Sequence, residues 1–238
     1  MVAAGQWHSL ALRRDGGITC WGRNHHGQAP PAGVDGDFVA IAAGKRHSLA
    51  LRRDGTIACW GANYSGRAPP AGVDGDFVAI AAGWAHSLAL RRDGSIACWG
   101  LNDEGQAPPG GVDGDFVAIA AGSDHSLALR RDGSIACWGL NADGQAPPGG
   151  VDGDFFAVAA GNWHSLALRR DGTIACWGAN DHGQAPPGGV DGDFVAIAAG
   201  YWHSLALRRD GGIACWGRDD HGQAPPAGVD GLFGQVDM

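Results

Sequence analysis

Lysine is nearly missing from this 238-residue chain: Lys45 stands alone among 17 basic residues, against 25 acidic ones. A formal net charge of −8 with no basic run does not suit a phosphate backbone, which needs clustered Lys and Arg, so nucleic-acid binding is set aside. No apolar stretch approaches the ~18 residues needed to span a bilayer; the longest are pieces such as Phe155 to Ala160. The opening Met1-Val2-Ala3-Ala4-Gly5 has neither the charged nor the long apolar region of a secretory leader, so a cytoplasmic protein off the membrane is expected. The cysteines include no CxxC and no Cys/His pair at metal-ligand spacing, and no segment has helical period. What remains is rich in glycine, tryptophan and proline, and these residues fall on a fixed beat.

His-Ser-Leu-Ala begins at His8, His47, His86, His125, His164 and His203, every step 39 residues. Cys-Trp-Gly keeps the same period from Cys20 to Cys215, and one Pro-Pro per unit accounts for all 12 prolines. In the unit from Phe38 to Asp76, Phe38–Ala43 and His47–Arg52 read as strands, the second closing on an Asp54-Gly55 hairpin turn. Thr56–Trp60 is a third strand, and Arg67-Ala68 is a stub of a fourth, stopped by Pro69-Pro70. Such a unit cannot bury both faces alone, whereas radially stacked four-stranded sheets can. Val39, Ile41, Leu49 and Leu51 are expected on one bulky face, with Ala40, Ala42, Ser48 and Ala50 on a thin one. Val2–Gly5 corresponds to Ile41–Gly44, and Phe233–Val236 to Phe38–Ile41, so a deficit at one end matches a surplus at the other. The expected fold is an all-β, six-bladed propeller, four short antiparallel strands per blade, forming one domain over 1–238 with its terminal segments sharing a blade. An open array, or a ring completed by a second chain, is the alternative.

The unit Ala-Gly-x-x-His-Ser-Leu-Ala-Leu-x-x-Asp-Gly, followed by Trp-Gly-x-Asn-x-x-Gly-Gln, resembles the regulator of chromosome condensation repeat across essentially the whole chain. Known members of that family mostly have longer repeats, and the compact unit is more similar to the bacterial branch, which includes a propeller-type β-lactamase inhibitor protein. The resemblance implies a propeller. It implies less about function, because the fold hosts exchange factors, inhibitors and a plant ultraviolet photoreceptor.

Two windows vary between units. One precedes the repeated His: Gln6-Trp7, Lys45-Arg46, Trp84-Ala85, Ser123-Asp124, Asn162-Trp163 and Tyr201-Trp202. The other follows Cys-Trp-Gly and carries His25 and His26, Tyr64, Asp103 and Glu104, Asp143, His182, and His221. The Arg-Arg-Asp-Gly turns are identical in all six units. In an antiparallel blade both variable windows emerge at one end, so diversity is expected on one face, carried by loops on a rigid scaffold. Closure would place Trp7, Trp163 and Trp202 on one arc, with Tyr201, His25, His26, His182 and His221. Asp103, Glu104, Asp124 and Asp143 would make an acidic arc. Clustered surface aromatics are typical interface anchors. The alternative is that these indoles only cover loop backbone, but Arg46, Ala85 and Asp124 hold the same position in other units.

Catalytic, metal and cofactor readings are weak. The His-Ser pairs recur six times in one context, which suits a structural His donating to a turn carbonyl better than a catalytic base. The six cysteines read as buried free thiols, and the Cys-Trp-Gly tryptophans as interblade core. Asp35-Gly36-Asp37 and its copies lack the ligand spacing of a calcium loop. His25-His26, His182 and His221 sit on loops of separate blades, too dispersed for a metal. The paired arginines face enough Asp to form a solvated ion-pair network.

The leading expectation is a non-enzymatic module whose variable face binds a protein partner, with no cofactor. The alternatives are an exchange factor or chromatin-associated module, ultraviolet sensing through Trp84, and an amplified scaffold without a selected partner. A monomer is expected, although near-identical units invite swapped oligomers.

Overall fold

The structure, a computed structural model, describes residues 1–231 and 233. In the second repeat three strands form where the side chains alternate: Phe38–Ala43, His47–Arg52 and Ile57–Gly61. They pair antiparallel in sequence order, and each of the six repeats builds one such three-stranded sheet. The chain divides into two compact units, Met1–Ile119 and Ala120–Met238.

The second and third strands are joined by four residues, Arg53-Asp54-Gly55-Thr56. Gly55 N–H donates to the Arg52 carbonyl (3.0 Å), and Gly55 takes φ +87°, the left-handed value this bulged turn needs. Asp54 accepts both the amide and the hydroxyl of Thr56 at 2.9 and 2.8 Å, which holds its carboxyl below the ordinary carboxylate range.

The fourth strand is not formed at Arg67-Ala68. Instead Pro69 to Gly72 makes a turn, and Val73 alone pairs with Ile57; the same single bridge recurs in all six repeats. The prolines lack donors, and Asp74-Gly75 turns the chain away directly after the bridge, so one residue is all that can pair. Of the segment expected to complete the first blade, Gly234–Val236 lies outside the described residues. At the other end, Val2–Ala4 pairs with the second strand of its own repeat.

The faces also differ from the expected bulky and thin pair. A bulge between Phe38 and Ala40 shifts the register, so that Ile41 opposes Ala50, Ala42 opposes Leu49, and Ala40 opposes Leu51. Each face therefore matches a large side chain on one strand with a small one on its neighbour. Leu49, Leu51, Ile57 and Cys59 pack with Phe77 and Ala89 of the third repeat, while Ile41 and Ala50 pack back onto Leu10, Ile18 and Cys20 of the first. Within the second unit, Leu166, Leu168 and Ile174 meet Phe194 and Ala206 in the same way. Interdigitation between successive sheets is what makes the repeats interdependent.

At the constant end, Arg53 meets Asp37 at 2.9 Å, Arg92 meets Asp76 at 2.9 Å and Arg170 meets Asp154 at 2.8 Å, all well exposed. These are the solvated pairs expected, and they contribute little to stability. All six cysteines are free and buried. Burial pushes the Cys59, Cys98, Cys137 and Cys176 thiols up to about 12, so almost no thiolate exists at neutral pH. A disulfide-exchange reagent should leave the six thiols of the native protein essentially unlabelled and titrate all six in denaturant; rapid labelling of the native state would contradict this burial.

Candidate partner-binding face

The two variable windows of each repeat touch directly. In the first unit Arg23 N–H donates to the Trp7 carbonyl (2.7 Å), Ala62 to Arg46 (2.8 Å) and Leu101 to Ala85 (2.9 Å). In the second, Leu140 donates to Asp124, Ala179 to Trp163, and Arg218 to Trp202, at 2.8 to 2.9 Å. The glycine of Cys-Trp-Gly permits this approach. At Gly61, φ is +101°, and an added Cβ would stand 2.6 Å from the Arg46 carbonyl oxygen.

The post-tryptophan loop is held by the Asn and Gln of Trp-Gly-x-Asn-x-x-Gly-Gln. Asn180 Oδ1 accepts from Ala185 N–H (2.8 Å), and Gln184 Oε1 accepts from His182 N–H (2.9 Å). The intervening residues are thus free to vary on a backbone that does not move with them. Asp219 replaces Asn in the last repeat and keeps the bond to Ala224.

Beneath the loops runs a buried relay between repeats. Ser48 donates its one hydroxyl proton to the Gln28 carbonyl (2.9 Å), so it must accept from Nε2–H of His8 (2.8 Å). Trp60 Nε1–H donates to that same Gln28 carbonyl at 3.0 Å. The pattern repeats as His47, Ser87, Arg67 carbonyl and Trp99 in the first unit, and as His164, Ser204, Gln184 carbonyl and Trp216 in the second. The repeated His therefore donates to the next repeat's serine, not to a turn carbonyl. The Cys-Trp-Gly indoles are half-buried bridges rather than full core, and Trp21 of the first repeat is 51% exposed. With ring, hydroxyl and carbonyl all engaged and His47 and Ser87 at 0% exposure, this pair offers no open nucleophile. Burial, reinforced by the charges of Arg67, His86 and His8, pushes His47 down to about 3. Burial brings His86 and His164 to about 4.

Of the expected site residues, the second unit gathers four. Trp202 makes edge-to-face contacts with Trp163 (5.4 Å between ring centres), Tyr201 (5.2 Å) and His182 (5.5 Å). Trp163 and Tyr201 are 36% and 40% exposed, so the cluster is an open aromatic surface. His221 is exposed on the next loop of this unit, and Asp143 on the fourth repeat's; Asp124 is half-buried and accepts from the Ser123 hydroxyl at 2.9 Å. The first unit places Tyr64 against His26, 5.7 Å between ring centres with a 3.2 Å bond from the phenol to Nδ1. Lys45 Nζ stands 3.4 Å from the centre of the Trp84 ring, a cation–π contact not foreseen from sequence. Trp7, His25, Asp103 and Glu104 are exposed on loops of the first unit, and Arg46 is half-buried there. Among the described residues no group of three or more His, Cys, Asp or Glu is arranged to hold a metal. No helix among them is long and apolar enough to cross a membrane. Sequence reasoning missed Arg67, which is buried where five repeats carry Gln; that lone exception was the available signal.

The model of the regulator of chromosome condensation (RCC1) repeat matches six segments: 2–28, 38–67, 77–106, 116–145, 157–184 and 194–223. No curated protein sequence matches the chain. Among solved structures, the chain is similar to Prp20p from Saccharomyces cerevisiae, at 23% identity and TM-score 0.74 over 91% of this chain and 71% of that one. That structure is described with its binding properties to Gsp1p and histones. Human WBSCR16 gives 20% identity and TM-score 0.76 over 92% and 76% of the two chains. The ectodomain of the Physcomitrella patens receptor kinase CR4 gives 25% and 0.72 over 91% and 62%. These likenesses carry the fold, an all-β propeller with one blade sheet per repeat.

Proposed function

This chain belongs to the regulator of chromosome condensation (RCC1) repeat family, and from that premise we propose a non-enzymatic module that binds a protein partner through its variable loop face. One observation carries the reading: Trp163, Tyr201, Trp202 and His182 interlock into an exposed aromatic surface on loops the scaffold does not require to be aromatic. Large rigid aromatics bury much area for little conformational entropy, which is why they anchor interfaces. His221, Asp124 and Asp143 on loops of the same unit would tune orientation, and Trp7, Trp84, His25, Asp103 and Glu104 present further contact chemistry on the first unit. Support for a protein partner also comes from Prp20p, whose described partners are proteins. The same reading takes residues 1–238 as one propeller domain, on six repeats at a constant 39-residue spacing, and a reducing cytoplasmic location, on six unpaired thiols.

The test is affinity. With a partner captured by the wild-type chain and then purified, Trp202→Ala should weaken binding by roughly 30-fold, the equivalent of about 2 kcal/mol. Trp163→Ala should act in the same direction. Unchanged affinity in both variants would overturn the assignment. The second reading, an exchange factor, is favoured by the fold likeness to Prp20p, and a nucleotide-release assay on candidate GTPases separates the two.

A further inference from the structure

In five repeats the loop after Cys-Trp-Gly ends on a glutamine: Gln28, Gln106, Gln145, Gln184 and Gln223. The second repeat has Arg67 there instead, and the backbone delivers it to the same interior position, 8% exposed. A glutamine braces the loop at this place because its amide oxygen receives a loop N–H, as Gln28 does from His26 at 2.9 Å, although its buried amide nitrogen goes without a partner at Gln28, Gln145 and Gln184. A guanidinium has no acceptor atom, so that brace is lost and a charge is buried in its stead.

Arg67 is poorly compensated. Its Nε is buried with no hydrogen-bond partner, and its one polar side-chain contact is Nη2 to Ser65 Oγ at 3.5 Å. Its guanidinium carbon lies 5.9 Å from the centre of the Tyr64 ring. Arg46 likewise has a buried Nε without a partner. No carboxylate comes within ion-pair distance of Arg46 or Arg67 among the described residues, although the chain carries 25 acidic side chains. After partial desolvation, Arg46 and Arg23 are the main causes that hold His26 below the ordinary imidazole value, and Arg67 adds to them. Tyr64, 74% exposed and bonded to His26, walls the cluster toward solvent.

We propose that Arg46, Arg67, His26 and Tyr64 form an oxyanion site on the loop end of the first two repeats. A buried guanidinium with no carboxylate in reach, beside a phenol-bonded imidazole and within charge range of Arg46, suits an anion offering at least two oxygens, which a phosphate or a carboxylate supplies. The site stands on residues separate from the Trp163–Trp202 surface, so either can fail without the other.

Inorganic phosphate and acetate are titrated separately into the full-length wild-type chain, with chloride holding ionic strength constant. Saturable binding of either ion is expected; tighter binding of phosphate assigns a phosphoryl ligand, tighter binding of acetate a carboxylate. Arg67→Gln restores the residue that five other repeats carry, so it should fold at least as well as wild type while binding at least about tenfold more weakly. The bound ion should also raise the melting temperature of the wild type and not that of Arg67→Gln. No saturable binding of either ion to the wild type, or equal binding by Arg67→Gln, overturns the site.

Discussion

Lowering the pH from about 7.5 to about 5 should remove roughly 6 kcal/mol of folding stability, enough to threaten a domain whose whole margin is typically 5–15 kcal/mol. The cause is the relay of histidines. His47 is pushed down to about 3, and His86 and His164 to about 4, chiefly by burial. In the unfolded chain these rings titrate near the ordinary imidazole value of about 6.5. A base with a depressed folded value binds its proton more readily when unfolded. Its stabilisation is therefore complete above about 6.5 and is lost as pH falls toward the folded values near 3 to 4. At pH 5 each of the three contributes a loss of about 2 kcal/mol, and His8 and His203, also shifted down by burial, add to it. The geometry gives the reason: His47 and His164 spend Nε2–H on a serine, and their buried Nδ1 has no acceptor for a second proton. The lowered Asp54 and Asp93 carboxyls act in the same direction but at lower pH, below the ordinary carboxylate range. Urea unfolding across this range, followed by tryptophan fluorescence, measures the effect. A flat profile between about 7.5 and 5 would mean that the histidines are not buried neutral donors.

Gly44→Ala should cost about 3 kcal/mol, the upper end of what forcing extra atoms into a packed interior usually costs. The backbone at Gly44 is not left-handed, so the requirement is space. A Cβ there would overlap the ring of His47 and stand 2.5 Å from the carbonyl oxygen of Gly83 in the next repeat. Neither neighbour can retreat without breaking the relay, because the His47 ring is fixed by Ser87 and Gly83 is bonded to the His86 carbonyl. Gly110→Ala is the matched control. Nothing lies within 4 Å of a Cβ added there, and Ala32 and Ala71 already occupy the position in other repeats. That change should stabilise by about 0.4–1 kcal/mol through the unfolded chain. Equal melting temperatures for the two variants would show that the close inter-repeat approach at Gly44 is not constraining.

The 39-residue beat, the three strands per repeat and the placing of both variable windows at one end were legible, because each depends on local pattern and antiparallel geometry alone. The faces were not. Alternation assigns Val39 and Ile41 to the same side only if the register is unbroken, and the bulge beside Phe38 is visible only once the strands pair. The His-to-Ser relay was hidden because its partners belong to successive repeats, as with His47 and Ser87. The aromatic cluster was half legible: the sequence singled out Trp163, Tyr201, Trp202 and His182, but their edge-to-face contacts depend on side-chain packing. Arg67 went unread because a Gln-to-Arg change at a loop end looks like ordinary surface variation until its burial is known.

The proposed function divides the repeats into constant positions that hold them together and variable positions that recognise a partner, and a hydrogen-exchange footprint of the purified complex tests that division most directly. The account predicts slowed exchange on partner binding at amides of the windows around Trp163, His182 and Tyr201-Trp202, with the six Arg-Arg-Asp-Gly turns unchanged. Protection centred on those turns, with the aromatic loops exchanging as in the free protein, would contradict it.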